Sequence, residues 1–405
     1  MQNHSVPFSP PDIRQEDIDA VVETLRSGWI TTGPKVKTFE KELAAYVGAE
    51  AGVGLSSCTA ALEVALRLLG IGPGDEVMVP AYTYTASAST IHHVGAKIVF
   101  VDNLPGKLQM DPEAIARGLS ERTKAIVPVD VAGVMEQYDE IRSILEDHRT
   151  LFRPANDRQE ALGRVAISAD AAHSLGARQK GRFAGAVADL TSFSFHAVKN
   201  LTTAEGGALL WRKGLPWDSE DLYKSVQLLT LHGQNKDALT KNKIGGWEYD
   251  IELPGYKYNM TDIQAALGLS QLARYESLLA RRRALVERYD QALAPLGFAS
   301  IAHSGADFTS SCHLYITRLP RGGVQERNRF IERMGEMGVA CNVHYKPLPM
   351  MSAYRALGAD IAHYPNAYAF YEREVTLPLN TTLTDEDVDQ ILSCAQTAAR
   401  EVLGC

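Results

Sequence analysis

The sequence predicts an α/β protein, with a mostly parallel, doubly wound sheet in a large domain and a smaller C-terminal α/β domain. Three observations carry this. Between about residues 40 and 215, short apolar runs recur as continuous stretches, the pattern of strands covered on both faces. Helical patterns lie between the first of these runs. Residues able to do chemistry cluster just beyond the runs, where parallel strands deliver their functional groups.

EVMVP (76–80), KIVFVD (97–102), KAIVPVD (124–130), RVAISAD (164–170), LTSFSF (190–195) and GALLW (207–211) read as buried strands. Ahead of the first, Leu62, Ala65, Leu66 and Leu69 share one helical face, while Glu63 and Arg67 form an i,i+4 pair on another. Gly70-Ile-Gly72-Pro-Gly74 ends that helix and precedes a strand. It is therefore a turn, in the reverse order of a dinucleotide fingerprint. Glu146–Arg164 reads as a polar surface insertion, and residues 212–258, rich in polar residues, Gly and Trp, read as loops over a site. Thr261-Asp-Ile-Gln264 is a capping box opening a long helix to about Leu293. HLYITRL (313–319) and VACNVHY (339–345) are the later strands, and a final helix begins near Asp385. The domains are expected at 1–258 and 259–405, the second beginning with the long helix.

Composition narrows the function classes. The 405 residues are 45% hydrophobic and 22% charged, ordinary globular values, so disordered and fibrous readings fall away. With 41 basic against 49 acidic residues the net charge is −8, and no basic cluster offers a surface to nucleic acid or an anionic membrane. Five scattered cysteines without a C-x-x-C pair suggest neither a zinc site nor a disulfide framework. No signal peptide or membrane-length apolar run is visible, so the cytoplasm is the expected compartment. The adjacent His92-His93 pair lacks the helical spacing that aims two rings at one ion, and no metal is expected.

The densest chemical cluster is SFSFHAVKNLTTAEGGALL (192–210). Its Lys199 follows a buried strand. A partly desolvated lysine there can lose its proton and form a Schiff base with a carbonyl. Asp170, 29 residues earlier in DAAH, ends another strand on the same edge. Pyridoxal phosphate requires this pair, a lysine for its aldehyde and a carboxylate beside its pyridine nitrogen. Taken alone, Asp170 reads equally well as a helix N-cap. GVGLSSCTAAL (52–62) runs from small and hydroxyl residues into a helix, whose free amides and dipole suit a phosphate. Tyr84, just past a strand end, offers a stacking face, although a tyrosine buried in the core fits the pattern as well.

With these elements in this order, the sequence resembles the DegT/DnrJ/StrS family of sugar aminotransferases, fold-type-I pyridoxal-phosphate enzymes related to aspartate aminotransferase. The match rests on SGWITTGPKVKTFEKELAAYVGA (27–49), SSCTAALEVALRLLGIGPGDEVMVPAYTYTASAS, DAAHSLGA, SFSFHAVKNLTTAEGG, PGYKYNMTDIQAALGLSQL (254–272) and NVHYKPL (342–348). The resemblance implies that Lys199 is the Schiff-base lysine, Asp170 the partner of the pyridine nitrogen, and His173 a neighbour of the ring's phenolic oxygen. It also implies that Thr59, Ala60 and Ser194 hold the phosphate and that Tyr84 stacks on the ring. Asn259 would reach the phosphate from the neighbouring subunit of a homodimer. Trp29, Thr31, Thr32, His344 and Tyr345 would lie near the substrate, a keto sugar nucleotide aminated at C4 with glutamate as donor. Cys58 stands where many members carry Gly. The family's dehydratase branch has His at the lysine position, so Lys199 argues against that branch. An aromatase on the same scaffold and a non-catalytic regulator are the remaining alternatives.

Overall fold

The computed structural model describes residues 5–235 and 248–404. Its strands are β1 (Ala51–Leu55), β2 (Glu76–Pro80), β3 (Lys97–Val101), β4 (Thr123–Ile126), β5 (Ala166–Asp170), β6 (Arg178–Gln179), β7 (Arg182–Phe183), β8 (Leu190–Ser194), β9 (Gly207–Trp211), β10 (Ala299–Ser300), β11 (Phe308–Thr309), β12 (Tyr315–Arg318) and β13 (Glu374–Leu377). The first helices are α1 (Gln15–Ser27), α2 (Pro34–Val47), α3 (Cys58–Leu68), α4 (Thr85–His93), α5 (Pro112–Gly118), α6 (Tyr138–Asp147), α7 (Asp157–Leu162) and α8 (Ser219–Thr230). Then come α9 (Asp262–Ala273), α10 (Tyr275–Leu293), α11 (Val324–Glu336), α12 (Ser352–Ala356), α13 (Pro365–Tyr371) and α14 (Asp385–Ala398).

The central sheet has the order β1-β9-β8-β5-β4-β2-β3. Neighbours from β3 to β8 pair in parallel, and β9 is reversed against both β8 and β1. The sheet is thus mostly parallel, as the continuous apolar runs require. Successive residues of β2 serve opposite faces: Met78 joins Phe39, Ile126 and Phe193, while Val77 and Val79 join Leu62, Leu66 and Ala125. β1 carries no apolar run. Its Gly52 and Gly54 leave room for Leu210 and Met260, which stand 2.6 Å and 3.2 Å from where their β-carbons would be.

A second core gathers Leu285, Phe330, Val375 and Ile391 around the antiparallel sheet β10-β12-β13. Residues just after 259 pack elsewhere: Met260, Ala265, Tyr275, Leu278 and Leu279 belong to the core of the large sheet, and Val6 from the other end of the chain belongs to the second core.

Four local expectations are corrected. The long helix after the Thr261 capping box breaks at Arg274 (φ −112°, ψ 10°) into α9 and α10. Arg274 Nη2 bonds Asp17 Oδ2 and the Asp12 carbonyl, each at 2.7 Å, a tertiary anchor that periodicity does not reveal. Within 212–258, read as loops, α8 forms instead: Asp218 caps it, and Leu222, Val226 and Thr230 bury one stripe. Residues 236–247 of that span lie outside the described residues. VACNVHY forms only single bridges, Val339 to Val6 and Asn342 to Thr376, while β13, absent from the expectation, supplies the strand. The Glu146–Arg164 segment is not merely superficial. It contains α7 and ends on Arg164, 4% exposed, which clamps the buried Asp189 through two 2.7 Å bonds. Burial alone would raise the Asp189 carboxyl, but Arg164, the Ile167 amide and Arg142 together hold it below its ordinary value.

No helix among the described residues is long and apolar enough to cross a membrane. Among them, no group of three or more His, Cys, Asp or Glu side chains is placed to hold a metal ion. Cys58, Cys312, Cys341 and Cys394 are free thiols.

Candidate active site

The segments that follow β1, β2, β5 and β8 converge on one cavity of about 330 Å³, whose wall includes Cys58, Thr59, Tyr84, Asp170, His173, Ser194, Lys199, His344 and Tyr345. This is the carboxyl edge of the parallel strands, where a doubly wound sheet places its ligands. Lys199 sits in the turn after β8, its amide bonded to the His196 carbonyl at 2.9 Å. Burial lowers its ammonium to about 8, against the opposing pull of Cys58 and Asp170. At that value about a tenth of the amine is neutral at pH 7, against far less for an ordinary lysine.

Asp170 closes β5 and caps no helix. Its Oδ2 accepts from Ser87 Oγ at 2.7 Å, and its Oδ1 accepts from the Ala172 amide at 3.1 Å, with Cys58 Sγ at 3.8 Å. Burial raises its carboxyl, while these bonds and Lys199 pull the other way. Ser87, one helical turn beyond Thr83 and bonded to it at 2.9 Å, was not singled out by sequence reasoning. Its signal is the spacing within YTYTAS: residue 87 lies on the same side of the chain as 83 only once α4 begins at Thr85.

His173 is buried. Its Nδ1 accepts the Ala132 amide at 3.1 Å, so its own hydrogen resides on Nε2, the nitrogen facing the Tyr345 hydroxyl at 3.3 Å. Burial, then Lys199 and His344, drives its pKa well below the usual range, and the ring is neutral. Ala132 holds φ +58°, a left-handed conformation that costs a residue with a β-carbon about 1–2 kcal/mol.

The phosphate cradle differs in one donor from expectation. Ser57 caps α3, and its Oγ accepts the Ala60 amide at 3.0 Å, so that amide is taken and Ala60 is not on the cavity wall. The amides of Cys58 and Thr59 have no acceptor among the described residues and stand at the positive end of the helix. Gly207 makes this possible, because a β-carbon there would lie 2.3 Å from the Ser57 carbonyl carbon and 2.4 Å from the Cys58 nitrogen. Ser194 lines the same cavity. Tyr84 is 58% exposed on its rim, 5.6 Å from the Tyr345 ring, and so is no core residue.

The structure keeps four expected residues away from this wall. Trp29, Thr31, Thr32 and Asn259 form a cluster of their own. Asn259 Nδ2 donates to Thr32 Oγ1 at 2.6 Å, Thr32 Oγ1 donates to the Met260 carbonyl at 2.6 Å, and Trp29 Nε1 donates to the Thr32 carbonyl at 3.2 Å. The Asp262 amide ties the group to the Thr31 carbonyl at 3.0 Å.

The cavity suits pyridoxal phosphate. It offers a lysine able to lose its proton, a helix terminus with two amides that have no acceptor among the described residues, and a buried carboxylate acted on by Lys199 but ion-paired with no side chain among them. A protonated pyridine nitrogen is the partner that such a carboxylate lacks.

Residues 11–396 match the model of the DegT/DnrJ/EryC1/StrS aminotransferase family. The chain belongs to this family. It is 38% identical to the spore coat polysaccharide biosynthesis protein SpsC of Bacillus subtilis, over 98% of this chain and 97% of that one. Among solved structures it is similar to the putative sugar aminotransferase Spr1654 from Streptococcus pneumoniae in its PMP form (50% identity, 99% of each chain, TM-score 0.95). It is also similar to PseC of Helicobacter pylori, an aminotransferase involved in the biosynthesis of pseudoaminic acid (27% identity, 98% of this chain and 100% of that one, TM-score 0.86). The DegT/DnrJ/EryC1/StrS member described here is a fold-type-I, pyridoxal-phosphate-dependent sugar aminotransferase.

Proposed function

We propose that this enzyme moves the amino group of glutamate to C4 of a keto sugar carried on a nucleotide, within amino-sugar and surface-polysaccharide synthesis in the cytoplasm. The observation that carries the aminotransferase chemistry is the meeting of Lys199, Asp170 and the α3 terminus in one cavity. The preference for C4 rests on the FSFHAVKN and PGYKYN segments, which resemble those of bacterial aminotransferases acting on 4-keto sugars.

Pyridoxal phosphate supplies, when bound, the aldehyde that carries the amino group and the ring that accepts the carbanion's electrons. The chain does the rest. Lys199 Nζ takes the proton from the amino-acid α-carbon and returns it, as general base and then acid. Asp170 presents its carboxylate to the ring nitrogen. The His173 Nε2–H is available to the phenolic oxygen, and the Cys58 and Thr59 amides with Ser194 receive the phosphate. Tyr84 covers the ring face, and His344 and Tyr345 wall the substrate side. We assign the Trp29–Thr32–Asn259 cluster to the site of a second subunit, which makes the working unit a homodimer with shared sites. Asn259 is bonded within that cluster and is not on the wall of its own chain's cavity, which supports that reading.

The test is to incubate the purified enzyme with pyridoxal phosphate, glutamate and a panel of keto-sugar nucleotides. The expected products are an amino-sugar nucleotide and 2-oxoglutarate in equal amounts, with neither formed by Lys199→Ala. Turnover by Lys199→Ala, or the absence of 2-oxoglutarate with every sugar, would contradict the assignment.

A further inference from the structure

One buried carboxylate near the cavity has no part in the chemistry above. Glu374 and Thr376 are both fully buried on β13, two residues apart and hence on one face of the strand. Asn342 pairs antiparallel with Thr376, which sets His344 opposite Glu374. Three bonds follow: the His344 amide donates to Glu374 Oε2 at 3.0 Å, His344 Nδ1 meets Thr376 Oγ1 at 3.0 Å, and Thr376 Oγ1 meets Glu374 Oε1 at 2.6 Å. The Tyr82 hydroxyl holds the His344 carbonyl at 3.0 Å, and the Phe8 ring stacks on the imidazole at 5.6 Å. Nε2 is the one polar atom of His344 with no partner among the described residues, and His344 lines the cavity.

We propose that Glu374, acting through Thr376, sets the polarity of His344 Nε2 toward the sugar substrate, so that both are positioning residues for the sugar half of the reaction. This rests on the sugar-nucleotide reading above. A hydroxyl has one hydrogen to give, so the chain has two consistent states. With Glu374 ionised, Thr376 donates to it and accepts from His344 Nδ1–H, and Nε2 is an acceptor. With Glu374 protonated, its hydrogen goes to Thr376 Oγ1, Thr376 donates to Nδ1, and Nε2–H is a donor. The first state has one hydrogen fewer than the second, and the proton that leaves exits at Nε2. A group fully enclosed in protein thereby exchanges its proton with the cavity.

Burial pushes the Glu374 carboxyl up to about 8, against Thr376, Arg327 and the His344 amide, so both states are within reach of the enzyme. Burial, then Lys199, lowers His344 to about 4, so the ring changes tautomer without becoming charged. The groups facing this relay are Arg327, Tyr82, Cys341 and Tyr345 around Glu374, with Lys199, His173 and His313 around His344. Lys199 titrates in the same range as Glu374.

The experiment is nitrogen NMR of the histidine-labelled, cofactor-loaded enzyme on either side of pH 8, with the His344 signals identified by their loss in His344→Asn. Wild type should pass from Nε2–H to Nδ1–H as pH rises. In Glu374→Gln the His344 amide claims the carboxamide oxygen, so the NH2 faces Thr376 and His344 is locked as Nε2–H, with Lys199 left in place. Thr376→Val should uncouple His344 from pH, and Thr376→Ser should restore the coupling. For the sugar nucleotide, Thr376→Val should raise KM about 5- to 10-fold, the worth of one hydrogen bond, while the rate with the amino donor alone stays at the wild-type value. A Glu374→Gln enzyme whose His344 follows the wild-type titration, or equal losses in both half-reactions of Thr376→Val, would overturn the relay. If no sugar nucleotide is aminated yet the tautomer still switches, the relay stands and the substrate reading fails.

Discussion

Gly207→Ala isolates the geometry of the phosphate cradle. Gly207 does not adopt a positive φ, so what it supplies is space. An added β-carbon would stand 2.3 Å from the Ser57 carbonyl carbon, and ordinary contact begins at 3.4 Å, so the two backbones must part by 3.4 − 2.3 = 1.1 Å. No side chain can rotate away to relieve this, because all three near atoms are backbone. Ser57 caps α3, and the Cys58 and Thr59 amides would move with it, away from the phosphate of a cofactor whose aldehyde Lys199 would hold. A displacement of about 1 Å in a positioned group costs about 10²-fold in rate, cofactor affinity should fall with the lost amide contacts, and the overpacking itself costs about 1–3 kcal/mol of stability. The assay is titration of apoenzyme with pyridoxal phosphate, read by visible absorbance, beside a denaturant melt. Gly335→Ala is the control: nothing lies within 4 Å of its β-carbon, so cofactor affinity should hold and the helix should gain about 0.5–1 kcal/mol. Wild-type cofactor affinity in Gly207→Ala would refute the reasoning.

Ser87→Ala removes the 2.7 Å bond to Asp170 and should lower kcat about 10- to 100-fold in steady-state assays, as expected for a hydrogen bond to a charged group. Arg164→Ala leaves Asp189 buried without its two-pronged partner and should cost about 3–5 kcal/mol in urea unfolding. Because the native Asp189 is held below its ordinary value, its contribution is present above about pH 4 and is lost as pH falls, a loss the variant should no longer show. Lys199 is lowered to about 8, so the rate at which apoenzyme captures pyridoxal phosphate should rise with pH up to about 8 and then level off in stopped-flow absorbance. Mixing Lys199→Ala with Asn259→Ala homodimers should regain activity as mixed dimers form. Continued inactivity of the exchanged mixture would place Asn259 in its own chain's site.

The strands were legible where burial on both faces forced continuous apolar runs, and β1 was not, because its glycines make room for Leu210 and Met260. Lys199 and Asp170 were legible for a different reason: strand ends are local features, and the chemistry of each residue type restricts what it does there. What escaped was contact between distant segments. Nothing near Arg274 in sequence shows that Asp12 and Asp17 will pull it out of a helix. Nor does anything near Ser57 show that its hydroxyl will take the Ala60 amide and leave the cradle to Cys58 and Thr59. Ser87, Thr376 and Glu374 belong to the same class, as polar residues whose role exists only once a second segment arrives.

The net charge of −8 bears on the assembly more than on the fold. Among the described residues of the cavity wall, Lys199 is the only lysine or arginine, and it stands against Asp130, Asp170 and Glu205. A cofactor phosphate can be met there by two amides and a helix terminus, because these act at contact distance and are indifferent to the charge of the distant surface. The sugar nucleotide proposed as substrate would add the negative charge of its diphosphate to the same small space. The described wall of one chain has no cation left to meet it once Lys199 is committed to the cofactor. On the proposed reading the missing donors come from a second chain, and the Trp29–Thr32–Asn259 cluster, absent from its own chain's wall, would have to exchange bonds to supply them, because its indole, hydroxyl and amide already donate to the Thr32 and Met260 carbonyls and to Thr32 Oγ1.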